Sequence, residues 1–260
     1  MSSPQHLSPL LQAENLSLRV GSRVLIERLS IAVAVGELWC VLGPNGSGKT
    51  TLLHTLAGLR SPDAGVVQLA GRPLAEWDTA AAARLRGLLP QTLHDAFSAN
   101  ALEIVLMGRH PYLSRWGWEG EVDRDLARAA LAAVELESLA ERDVVTLSGG
   151  ERQRVGIAAL LAQDPPLLLL DEPVAHLDMR HQVVVLRLLR ELAVGSNKAI
   201  VLSIHDLNLA RRFATHALVL GGTPAQGRVD EAMTEATLAA AFGHPVARRE
   251  IGDRVVFIAE

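Results

Sequence analysis

Along the chain, apolar positions come in short blocks of two kinds, and the kinds follow each other in a regular order. "AENLSLRV" (13–20) and "VLIERLSIAV" (24–33) have strand character, with polar positions interleaved among apolar ones. "GELWCVLG" (36–43) is a continuous apolar run, the pattern of a strand buried on both faces. "GKTTLLHTLAGL" (48–59) carries apolar residues at helical spacing, with Gly58 near its end. "AGVVQLAGRPL" (64–74) returns to strand character. From 94 to 165 the pattern is mainly helical, with "EVDRDLARAALAAVEL" (121–136) and "GGERQRVGIAALLAQD" (149–164) its clearest segments. "PPLLLLDEP" (165–173) is then a wholly apolar strand bounded by Pro and Asp, and "HQVVVLRLLRELAVG" (181–195) an amphipathic helix expected to close at Gly195. A buried strand in "AIVLSIHD" (199–206), a helix in "LNLARRFATH" (207–216), a strand in "ALVLGG" (217–222) and a small C-terminal region complete the order.

Strands alternating with helices predict an α/β fold with a parallel, doubly wound core. The helical block at 94–165 interrupts that alternation and reads as an inserted subdomain. Residues 1–12 are expected to form a flexible tail, leaving one domain over 13–260.

Composition narrows the class. Apolar residues make up 49% of the chain and charged residues 21%, a globular balance rather than a disordered one. A net charge of −4 gives no reason to expect nucleic acid as a partner. The single cysteine, Cys40, excludes an internal disulfide and reads as buried filler. "MSSPQHLSPLLQ" lacks the basic start and apolar stretch of a secretory signal. No apolar run approaches the roughly 20 residues that cross a bilayer. These features predict a soluble, cytoplasmic chain that would reach a membrane only through another protein.

Chemistry concentrates at the strand ends. "GPNGSGKTT" runs through Gly43, Pro44, Asn45, Gly46, Ser47, Gly48, Lys49, Thr50 and Thr51, and fits G-x-x-x-x-G-K-[ST] between a strand and a helix. Backbone N–H groups of such a loop wrap a phosphate chain, and the helix start adds its positive dipole end. Lys49 can reach the β- and γ-phosphates, and the Thr50 hydroxyl can hold Mg²⁺. In "LLLLDEP", Asp171 is suited to hold Mg²⁺ and Glu172 to polarise an attacking water. His205, in "VLSIHD", ends another buried strand, where it can contact the γ-phosphate or orient the water. Gln91 follows the strand-like "LLP". In "LSGGERQRV", Ser148 and Glu151 form the capping-box pattern, yet Gly149 and Gly150 weaken the turn they cap. Bare glycines at a helix start expose N–H groups to an anion. With one phosphate loop already present, this second anion site is expected to face another molecule's nucleotide.

Five motifs in one order, "GPNGSGKT", "LLPQT", "LSGGERQRV", "LLLLDEP" and "LSIHD", resemble the ATP-binding subunit of an ATP-binding cassette (ABC) transporter. The resemblance spans about residues 13–245. It implies a RecA-like phosphate-loop NTPase core, an antiparallel β subdomain built from the N-terminal strands, and a helical subdomain ending at the signature. It implies ATP and Mg²⁺ as ligands, with Gln91 on a lever loop beside the metal, His205 as the switch histidine, and Asp178 in a loop crossing to a partner cassette. A dimer follows, in which Ser148, Gly149 and Gly150 close the partner's site at the cytoplasmic face of the inner membrane. A permease and a periplasmic binding protein would complete the assembly. "VLMGRHPYLSRW", "LDMRHQ" and "HDLNLARRFA" resemble the subunits that import iron–siderophores, haem or vitamin B12. Another small-solute importer is the runner-up.

Readings from other classes fit less well. A chromosome-maintenance ATPase needs a long coiled coil between Lys49 and Asp171, for which there is no room. A translation-type protein normally carries two cassettes, and the "SNKAI" stretch lacks the Asp of a GTPase base-reading motif. The resemblance also leaves one gap. The position that often carries an adenine-stacking aromatic is Val20, and residues 1–38 contain no Phe, Trp or Tyr. Adenine contacts are therefore expected from Val20 and Arg19, with weak base discrimination.

Overall fold

The computed structural model describes residues 9–92, 98–114, 117–252 and 254–260. Residues 1–8 of the expected tail and the first four positions of the helical block lie outside them. Strands β1 (Leu11–Val20) and β2 (Arg23–Val33) form a hairpin, followed by β3 (Leu38–Leu42) and α1 (Lys49–Leu56). Then come β4 (Ala64–Leu69), β5 (Arg72–Pro73), α2 (Thr79–Leu85) and β6 (Arg86–Leu89). The inserted block contains α3 (Ala101–Leu106), α4 (Glu121–Ala133) and α5 (Gly149–Gln163). The core resumes with β7 (Leu167–Leu170), α6 (Met179–Ser196), β8 (Ala199–Ser203), α7 (Leu207–Phe213), β9 (His216–Val219) and β10 (Ala225–Arg228). Short α8 (Val229–Ala232), α9 (Glu235–Phe242) and the hairpin β11 (Val246–Ile251)–β12 (Arg254–Ala259) end the chain.

The central sheet has the order β10-β9-β3-β8-β7-β6, parallel throughout except for β10. Its strands are apolar on both faces, and the pleat sorts them. Trp39, Val41, Leu167, Leu169, Ala199 and Val201 pack toward α1 and the N-terminal sheet. Their neighbours Leu38, Cys40, Leu168, Leu170, Ile200 and Leu202 pack toward the helices of the other layer. Two cores therefore flank one sheet, as a doubly wound fold requires. The N-terminal sheet, β2-β1-β4-β5, is antiparallel. Cys40 is buried, which pushes its thiol pKa up and leaves it inert filler.

Two boundaries differ from the sequence expectation. β1 begins at Leu11, inside the segment expected as a tail, because the Leu11 side chain is wholly buried and the Leu10 N–H donates to the Val33 carbonyl at 2.9 Å. Helix α6 runs through Gly195 and leaves instead at Asn197, whose φ of +53° is the left-handed conformation that asparagine tolerates. Among the described residues no helix is long and apolar enough to cross a membrane.

Candidate active site

The phosphate loop leaves β3 at Gly43, and its glycines are required by close approach. A Cβ on Gly43 would meet the Leu220 carbonyl oxygen at 2.6 Å, and Gly43 holds a φ of +148°. Gly48, at φ +101°, caps α1 with no side chain, so the first N–H groups of the helix stay open to an anion. Lys49 is 6% exposed. Its Nζ donates to the carbonyls of Gly43 (2.8 Å) and Pro44 (3.2 Å), leaving one of its three N–H donors for a phosphate. Burial lowers the Lys49 pKa, and the charges of Glu172 and Asp171 work against that shift. Ser47 Oγ is buried without a hydrogen-bond partner among the described residues.

The carboxylate pair sits at the end of β7, beside β8. Asp171 is fully buried; its Oδ1 accepts from Ser203 Oγ at 2.6 Å, and its Oδ2 has no partner among the described residues. Glu172 has a φ of +50°, and its N–H donates to the same Ser203 Oγ at 2.8 Å. The Glu172 carboxylate lies 2.7 Å from His205 Nε2, so both groups face one point.

These elements enclose a cavity of about 580 Å³, the order of size a nucleotide site needs. Asn45, Gly46, Gly48, Lys49, Thr50 and Thr51 line it together with Gln91, Glu172 and His205, which follow the ends of β6, β7 and β8. Val20 and Leu25 close the remaining side, together with Arg23, which pairs with Val20 across the β1–β2 turn. Arg23, not Arg19, is the cation of this wall. The Arg19 backbone N–H is tied instead to the Asp63 carboxylate at 2.8 Å. Among the described residues, no aromatic side chain lines the cavity. Gly43, Pro44, Ser47 and Asp171 are not among its lining residues; Asp171 and Ser47 are buried.

An unpartnered, buried Asp171 oxygen and a Thr50 hydroxyl on the cavity wall fit a divalent ion that completes its shell with water and phosphate oxygens. Held by these groups, Mg²⁺ would supply positive charge against a phosphate chain.

Ser148, Gly149 and Gly150 are not part of this cavity. The capping box forms as the sequence predicts, with Glu151 N–H donating to Ser148 Oγ at 3.2 Å and Ser148 N–H to Glu151 Oε2 at 2.8 Å. Those bonds hold the Glu151 carboxyl below the usual carboxylate range. The two glycines differ in kind. A Cβ on Gly150 would meet the His176 carbonyl at 3.0 Å, so packing within the chain accounts for it, whereas Gly149 faces open space. Asp178 is exposed and caps α6, accepting from the His181 N–H at 2.9 Å.

Sequence reasoning missed two residues here. Arg23 was findable as the hairpin partner of Val20; Ser203 was findable as the one hydroxyl in an otherwise apolar buried strand.

A glycine-floored cavity, a buried lysine and a strand-end Asp–Glu pair define a phosphate-loop nucleotide-hydrolysing enzyme. The family described as ABC transporter matches residues 26–175. The chain is 45% identical over 218 residues to a hemin import ATP-binding protein of Gloeobacter violaceus, covering 81% of this chain and 78% of that one. It is 40% identical over 230 residues to a petrobactin import ATP-binding protein of Bacillus anthracis, covering 86% and 83%. An inward-facing metal-chelate type ABC transporter superposes with a TM-score of 0.85 at 30% identity, covering 97% of this chain and 98% of that one. A cassette solved as a dimer in a post-hydrolysis state with ADP and Pi superposes with a TM-score of 0.74 at 28% identity, covering 84% and 98%. The chain belongs to the ABC transporter family, as an ATP-binding and ATP-hydrolysing subunit.

Proposed function

We propose that the protein drives uptake of a metal chelate (an iron–siderophore, haem or vitamin B12) through a separate membrane permease. The observation that carries this reading is the extent of the likeness: a metal-chelate type ABC transporter matches 97% of this chain and is itself covered to 98%. Two copies bind two ATP molecules at their interface, at the cytoplasmic face of the inner membrane, and a periplasmic binding protein delivers the chelate.

Within each site, the N–H groups from Gly43 to Thr51 cradle the phosphates and Lys49 supplies its free donor. Thr50, Gln91 and Asp171 hold the metal. Glu172 orients the attacking water and takes its proton, with His205 fixing the carboxylate. Ser148, Gly149 and Gly150 of the partner copy close the site from the other side, where open space lies beside Gly149. Val20 and Arg23 carry the base.

Deleting the gene is expected to abolish uptake of one radiolabelled chelate and spare the others. Normal uptake of cobalamin, haem and siderophores together, with loss of an unrelated solute, would overturn the metal-chelate assignment. The wall without an aromatic makes a second prediction. An aromatic stacking partner contributes about 0.5–1.5 kcal/mol beyond burial, so its absence leaves kcat/KM for ATP and GTP within about threefold. A preference for ATP above about tenfold, measured by phosphate release, would refute the weak-base reading.

A further inference from the structure

We propose that Ser203 is a positioning residue for hydrolysis, acting through both carboxylate residues at once. The inference rests on the reading of Asp171 and Glu172 as the metal-holding and water-activating pair.

β8 is buried along all five residues, and Ser203 alone among them carries a polar side chain. A serine hydroxyl has one hydrogen and two lone pairs. The hydrogen goes to Asp171 Oδ1, at 2.6 Å, and a lone pair takes the Glu172 N–H, at 2.8 Å. One atom of β8 thus fixes two consecutive residues just past the end of β7. The effects on the two are different. For Asp171 the bond selects a rotation of the carboxylate, because one oxygen is occupied and Oδ2 alone is left for a metal. For Glu172 the bond holds the backbone, whose φ of +50° is disfavoured in any residue with a Cβ. That backbone direction brings the Glu172 carboxylate to 2.7 Å from His205. The residues flanking the pair and Ser203 along the chain, Leu170, Leu202 and Ile204, are buried and apolar and offer no substitute donor.

A hydroxyl placed this way governs the chemical step and the metal more than the cradle that grips the triphosphate. Ser203→Ala is expected to lower kcat about 10- to 100-fold, the loss of one hydrogen bond to a charged group, with KM for ATP within about threefold. Binding of a fluorescent ATP analogue in EDTA is expected to match wild type. The Mg²⁺ concentration that half-maximally enhances that binding is expected to rise about tenfold, again the weight of one such bond. Ser203→Thr keeps the hydroxyl and is expected to restore both quantities.

Ser203→Cys keeps the shape but weakens the donor, and serves if the alanine variant fails to fold. It is expected to show the same two changes in smaller measure. Wild-type kcat in the alanine or cysteine variant, or an unmoved Mg²⁺ curve, overturns the proposal. So does a kcat loss that threonine shares in full. Glu172→Gln separates this inference from its foundation. If that variant still hydrolyses ATP, the carboxylate reading has failed; if it is inactive while Ser203→Ala is normal, only the role of Ser203 has.

Discussion

Glu172→Gln is expected to bind ATP as tightly as wild type, to hydrolyse it at least about 100-fold more slowly, and to accumulate as a dimer. The amide is isosteric with the carboxylate and can still hydrogen-bond His205, which stands 2.7 Å away. The bond from Glu172 to Ser203 comes from the backbone and is untouched by the substitution. What disappears is the negative charge and the capacity to accept a proton from water. Binding is preserved because the residue does not grip the phosphates, and losing a charge beside the γ-phosphate removes repulsion. With hydrolysis stalled, the closed pair has no route to separate. Size-exclusion chromatography with ATP and Mg²⁺ should show a shift from monomer to dimer that ADP does not produce. A monomer under those conditions would sink the two-copy site, and unimpaired hydrolysis would remove Glu172 from the chemistry.

Lys49→Ala is expected to weaken ATP binding about 100-fold or more, since a charged hydrogen bond contributes about 1.5–3 kcal/mol and the point charge acts on two phosphates. The same change acts on the fold in two opposing ways, since it removes the Nζ bonds to the Gly43 and Pro44 carbonyls but also relieves the burial of a charge. Burial lowers the Lys49 pKa, and a lysine depressed in the folded state destabilises it at pH values where the amine is charged. That cost fades only as the pH rises past the folded pKa, so at neutral pH it is present in full. Melting of the variant without nucleotide is therefore expected to stay near wild type, while the rise in Tm that ATP gives wild type is lost. An ATP-induced rise equal to that of wild type would refute the phosphate-loop role.

Much of the site was legible because each part is a chemical group at a strand end with its motif around it. Gly43 to Thr51, Asp171, Glu172 and His205 were readable for that reason, and the inserted helical block was readable from the break in alternation. The pleat was not, since four consecutive leucines in β7 look alike until the sheet assigns Leu167 and Leu169 to one face and Leu168 and Leu170 to the other. Gly149 and Gly150 look like one feature in the chain, and only the His176 carbonyl behind Gly150 separates them. Arg19 and Arg23 are equally basic on paper; the hairpin register decides which one stands beside Val20 in the wall.

The left-handed backbone at Glu172 sets the fold's preference against its activity. A glycine there would adopt the same φ without a Cβ clash and would relieve a strain of about 1 kcal/mol. Ser203 could still accept its N–H, so the turn itself would survive. On the role proposed for Glu172, the most effective local relief is thus also an inactivation. A lineage released from transport, or a library screened for heat resistance alone, would drift toward an inert, sturdier protein through this one codon.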